Sequence, residues 1–176
     1  CYEGARRYTE KVWLGTAAIE VVEPANDPNA VFTGQVWVNE QQKALLSAPV
    51  LKETLNLMNQ RGLRMFNDVE ALRASLQQSL RLTSHAEQQL VLNYESSNQN
   101  NAVKLLESLV AAYHNYHTVR GMHGEAQVKV NIIQAAGSSN EPIKDPTIMV
   151  AGIAFGSSAS AALLLWFFFW ALARKA

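Results

Sequence analysis

Hydrophobic and polar positions follow two different periods along this chain, and one stretch has no polar face at all. Thr16 to Val22 (Thr-Ala-Ala-Ile-Glu-Val-Val) predicts a strand that stops before Pro24. Glu23 to Ala30 collects Pro, Asn and Asp and reads as a loop. Val31 to Val38 predicts a second, weaker strand around Gly34, after which Asn39 caps a helix through Leu46 that breaks at Pro49. Leu51, Leu55 and Met58 then recur at helical spacing within Val50 to Gln60, and Gly62 supplies a stop. Asn67 or Asp68 caps a further helix whose apolar stripe is Val69, Leu72, Leu76 and Leu80.

The period then shortens. In Gln89 to Glu95, Leu90, Leu92 and Tyr94 share one side and Gln89, Val91 and Asn93 the other, which predicts a strand with one buried face. Ser96 to Asn101 is a polar turn opening a strong helix. Its stripe is Ala102, Leu105, Leu106, Leu109, Ala112, Tyr113 and Tyr116, and Gly121 and Gly124 end it. Val128, Val130 and Ile132 alternate in a last strand, Val128 to Ile133, followed by a Ser/Pro linker from Gly137 to Pro146. Helices interleaved with three or four strands predict an α/β (α+β) domain, a small mixed sheet packed with helices.

From Ile148 to Ala173 no side chain is charged, and Leu163 to Trp170 is apolar on every face. As a helix these 26 residues would be about 39 Å long, more than the ~30 Å hydrocarbon core requires. This predicts one C-terminal transmembrane helix over 147–173. Arg174 and Lys175 follow it, while Glu141, Lys144 and Asp145 precede it with no basic excess. The positive-inside tendency then places residues 174–176 in the cytoplasm and the main domain, 1–136 with its linker 137–146, outside, in the periplasm of a Gram-negative cell. Gly152, Gly156 and Ser160 recur every fourth residue and form a small-residue stripe suited to helix–helix packing, with a copy of itself or a partner helix.

Charge narrows the function classes. Fifteen basic residues balance fifteen acidic ones, so no global field grips nucleic acid, and no nucleic-acid partner is expected. The single cysteine excludes an intrachain disulfide framework and a Cys-based zinc site. That cysteine is Cys1. It is a candidate lipid-attachment site, as in a processed bacterial lipoprotein, or it marks a boundary just after a first membrane helix.

No Gly-rich phosphate loop, His-Glu-x-x-His or Gly-x-Ser-x-Gly pattern occurs, so no catalytic residue, cofactor or metal is expected. His114 and His117 stand three apart on a helix with His123 nearby and could bind a metal, but no matched Asp, Glu or Cys stands beside the pair on that helix. Trp13 and Trp37 are candidate sugar-stacking aromatics, Trp13 being better suited to a membrane surface. Arg6 and Arg7 could meet lipid headgroups or a lipid-linked phosphate.

The order of these segments resembles the Wzz-type polysaccharide co-polymerases, the chain-length determinant family, which includes the outer domains of bacterial tyrosine kinases of capsule and exopolysaccharide systems. Four stretches carry the likeness: Tyr8 to Val22, ending in Ala-Ala-Ile-Glu-Val-Val; Gln41 to Leu57, with Leu46-Ser47-Ala48-Pro49-Val50-Leu51 at a helix break; Gln89 to Tyr116, a strand, an Asn-rich turn and a Leu-rich helix; and Ile132 to Ala136, followed by Pro142, Pro146 and a Gly-rich apolar segment. The family inserts a long helical arm before its exit strand, whereas here only His117 to Ala126 intervenes, which suits a scaffold better than a ruler. The resemblance implies a non-catalytic, inner-membrane homo-oligomer that works beside a polysaccharide polymerase or synthase in O-antigen, capsule or exopolysaccharide production. The alternative is an accessory membrane subunit or lipoprotein of another envelope complex, acting as an interaction module.

Overall fold

A computed structural model of the chain describes residues 11–22, 34–122 and 128–143. Eight elements run through them: β1 (Trp13–Val22), α1 (Gly34–Leu45), α2 (Ala48–Gln60), α3 (Val69–Ser79), β2 (Leu80–Ser84), β3 (Gln89–Ser96), α4 (Gln99–Met122) and β4 (Lys129–Ser138). The four strands form one sheet in the order β2-β3-β1-β4. Every neighbouring pair in it is antiparallel, so the sheet is not the mixed one that interleaved helices suggested. The reason is connectivity: the long return from β1 to β3 passes through three helices and a hairpin, which brings β3 back beside β1 in the opposite sense.

Alternation on the two central strands decides which face is covered. Ala17, Ile19 and Val21 of β1 and Leu90, Leu92 and Tyr94 of β3 are buried, while their neighbours are only partly so. Against that face lie Leu105, Leu106, Leu109 and Tyr113 of α4, joined by Leu72 and Leu76 of α3 and Leu51 and Met58 of α2 in one core. The closest approach is at Gly15, where an added Cβ would lie 3.0 Å from both Ala102 Cβ and Leu106 Cδ1. Glycine there is what lets α4 lie flat on β1.

Three elements differ from the periodicity reading. Val36 to Val38 are helical, because α1 already starts at Gly34 and Asn39 lies inside it. Trp37, Val38, Gln41 and Leu45 recur at three- and four-residue spacing and are buried, a pattern masked by the β-branched pair Val36 and Val38. Leu80 leaves the helical stripe: α3 stops at Ser79, and Leu80 takes extended dihedrals (φ −88°, ψ 129°) as the first residue of β2. It remains buried opposite Tyr94, so its apolarity suits either element.

The third difference is at β4, which continues through Gly137 and Ser138, both read as linker. Register shifts opposite Thr16, Ala18 and Ile19 interrupt its alternation beyond Ile132, so a period of two no longer marks the strand. Other boundaries shift slightly: β1 starts at Trp13 rather than Thr16, the break expected at Pro49 falls between Leu45 and Ala48, and Gly121 lies inside α4 rather than ending it. Asp68 caps α3 by accepting the Ala71 N–H at 2.8 Å, Pro49 sits in the first turn of α2, and Gly62 takes φ +76° after it.

No helix among the described residues is long and apolar enough to cross a membrane. The expected transmembrane helix, 147–173, lies outside the described residues, as do Gly152, Gly156, Ser160, Arg174, Lys175 and Cys1.

Candidate functional site

The two ends of the described domain meet. Because β1 and β4 are antiparallel neighbours, the first residues of one lie beside the last of the other. The pairing runs on past the strand itself: Ser139 N–H donates to Leu14 O at 3.0 Å, and Ile143 N–H donates to Val12 O at 2.8 Å. Gln99, at the start of α4, locks this end by donating through Nε2 to Ser138 Oγ (2.7 Å) and Ser139 O (3.1 Å). Chain entry and exit are therefore held together by backbone bonds and a side-chain clamp that composition and periodicity do not reveal.

Among the described residues, two open grooves flank α4. The larger, about 600 Å³, lies between the start of α2 and the last turns of α4, and Pro49, Glu53, Tyr116, Val119 and Arg120 line it. The smaller, about 340 Å³, lies between α4 and β4 and is lined by Val110, Ala111 and Ile132, with Arg61 and Glu107 also on its wall. That last pair is an exposed ion pair at 3.0 Å. Ile132 and Ile133 are 57% and 51% exposed, so the outer strand presents apolar side chains where alternation placed Ile132 on a buried face. Its position on the edge strand, in an open groove beside α4, explains the difference.

The aromatic and histidine candidates separate. Trp37 is 3% exposed and belongs to the core of α1, which removes it as a sugar-stacking surface. Trp13 is half-buried at the start of β1, paired across the sheet with Ser96. His114 is exposed, whereas His117 is half-buried with its ring edge-on to Tyr113 and Tyr116, at centroid distances of 4.5 Å and 5.2 Å. Burial, and secondarily the Arg120 guanidinium, hold the His117 imidazole down at about 4 against an ordinary 6.5. Tyr94 is held above its ordinary value by burial, offset in part by its bond to Ser75. Among the described residues no group of three or more His, Cys, Asp or Glu is placed to hold a metal ion. His123, Arg6 and Arg7 lie outside those residues.

The chain matches no protein-family model and no curated protein.

Proposed function

We propose that the chain is a non-catalytic, membrane-anchored scaffold of bacterial surface-polysaccharide synthesis, of the co-polymerase type. The observation that carries the reading is the meeting of the domain's ends at Val12 and Ile143. Such an arrangement suits a module whose two ends both lead to one bilayer. Only residues 144–147 separate Ile143 from the uncharged run that begins at Ile148. The element order supports the same reading: a first strand, a helix pair broken at Ser47, a strand–turn–helix and an exit strand lying beside the first.

In this reading the α/β domain stands in the periplasm and associates side by side with further copies. The run 147–173 crosses the inner membrane, Arg174 and Lys175 hold the C-terminus in the cytoplasm, and the Gly152/Gly156/Ser160 stripe packs on a polymerase or synthase helix. Cys1 adds a lipid anchor or follows a first span. The mechanism is positional: copies of the scaffold hold the synthetic machinery, or guide the growing glycan, with no bond made or broken by the chain itself.

The test is the amount and size distribution of surface polysaccharide in a deletion strain. Complementation by wild type should restore the profile, and Gly152→Leu with Gly156→Leu should not, at equal membrane abundance. A deletion profile identical to the parent's would remove the function. Full rescue by the double variant would remove the packing face.

A further inference from the structure

We propose that copies of this domain join edge to edge, the outer edge of β4 in one copy pairing antiparallel with the outer edge of β2 in the next. The inference deepens the scaffold reading by naming the surface between copies, and rests on that reading for their common orientation. β4 closes one side of the sheet and β2 the other, so the outward N–H and C=O groups of both have no strand partner among the described residues. β4 is ten residues long, and from Val130 to Ser138 it carries neither a charge nor a proline, the usual protection of an edge. Its register shifts bend it without removing those backbone groups. Ile132 and Ile133 are exposed on it, and Ile143 just beyond it.

Strand direction selects the contact. Each step across the sheet is antiparallel, so over four strands β2 and β4 run in opposite directions. A second copy in the same orientation therefore offers its β2 antiparallel to β4 of the first. Pairing β4 with β4 about a two-fold axis is also antiparallel, but it turns one copy over, and the Val12–Ile143 ends then point opposite ways. Two such ends cannot both lead to one bilayer. The edges also stand level: Ser84, Leu90, Ile19 and Ile132 form one row across the sheet, and Leu80, Tyr94, Gly15 and Ser138 another. β2 thus matches Ile132–Ser138 of β4.

Charge at both ends of this contact is complementary. At one end Lys129, exposed, pairs with Val22, and Val21 N–H donates to Gln88 O at 2.8 Å, which sets the exposed Glu87 of the β2–β3 turn at the level of that lysine. At the other end the exposed Arg81 stands near the start of β2, and the exposed Glu141 follows Ser138 of β4. Among the described residues none of these four side chains forms an ion pair. Docking β4 on the next copy's β2 brings Lys129 toward Glu87 and Glu141 toward Arg81 and covers Ile132 and Ile133. The contact is head to tail, so copies add in a row, and the twist of the sheet curves that row.

Oxidative cross-linking of the full chain in intact cells tests this. Cys1→Ser removes the one native thiol and leaves the run 147–173 in place. In that background Ile132→Cys is combined with Ser84→Cys, and in turn with Leu82→Cys and Ala86→Cys to cover a slip of two residues; each is also made alone. At least one double variant should give a ladder of multimers, and no single variant should. Monomer from every double variant overturns the proposal, as does a dimer from Ile132→Cys alone, which assigns the contact to β4 with β4. Adding Lys129→Glu should cut the ladder about two- to fivefold, as expected for an exposed ion pair turned to repulsion, and Lys129→Glu with Glu87→Lys should restore it. Loss without restoration overturns the pairing with β2. Should the cysteine variants not fold, sedimentation of the same charge variants in detergent decides, with oligomer size as the readout. A ladder beside an unchanged polysaccharide profile in the deletion strain supports the interface and removes the function. Monomers beside a shortened polymer remove the interface and leave the function.

Discussion

Gly15 shows how much one missing side chain can determine. Its contact with Ala102 and Leu106 sets the distance between β1 and α4, and a branched side chain there would have to push backbone as well as side chain. Gly15→Val should lower stability by roughly 1–3 kcal/mol, the usual cost of overpacking a dense interior. Urea denaturation of the full chain in detergent measures it, and an unchanged midpoint would mean α4 is free to shift. A glycine in a strand pattern signals such an approach in the sequence, but not which helix makes it. Trp37 shows the converse. Its size made it look like a ligand-binding surface, yet its place on α1, in register with Gln41 and Leu45, puts it in the core. Polarity alone also hid Gln41, which is buried because Tyr113 donates to it from another helix.

At the scale of elements, the legible ones were those with a clean period and a chemical boundary. α3 begins where Asp68 offers its carboxylate to the Ala71 N–H. Asp68→Ala should therefore cost about 1 kcal/mol and Asp68→Asn much less, read as a shift in the thermal or urea midpoint. Equal losses for the two would assign Asp68 a role beyond capping. β3 and α4 were equally plain, since strict alternation gives way at an Asn-rich turn to a seven-residue helical stripe. The elements that escaped were those whose residues serve two structures equally well. Leu80 is buried as a helix end or a strand start, and only the unpaired edge of β3 gives β2 its place. β4 lost its signature where register shifts displaced its alternation, so its last two residues, Gly137 and Ser138, resembled linker.

For the whole molecule, the consequential feature is that entry and exit share one end of the sheet. The clamp of Gln99 on Ser138 and Ser139 closes that end. If the uncharged run 147–173 spans a bilayer, as proposed, the chain should stay in the membrane fraction through an alkaline carbonate wash. Ala161→Lys with Ala162→Lys, near the centre of the run, should release it or block its insertion, each charge costing about 2.5–3.5 kcal/mol at the bilayer centre. Retention of the double variant at full abundance would point to another anchor, with Cys1 the first to examine.

By itself the sequence determined the class of the domain, most of its helices, the two central strands and the long uncharged run, because each is a local pattern of burial or solvation. It also narrowed the cap of α3 to Asn67 or Asp68 and marked a break near Pro49 between α1 and α2, both set by contacts within a few residues. Only the tertiary structure decided the antiparallel order β2-β3-β1-β4, the helix at Gly34–Leu45, the edge position of Ile132 and the meeting of Val12 with Ile143. These depend on partners far along the chain, and a residue's own polarity carries no information about which distant backbone will satisfy its hydrogen bonds.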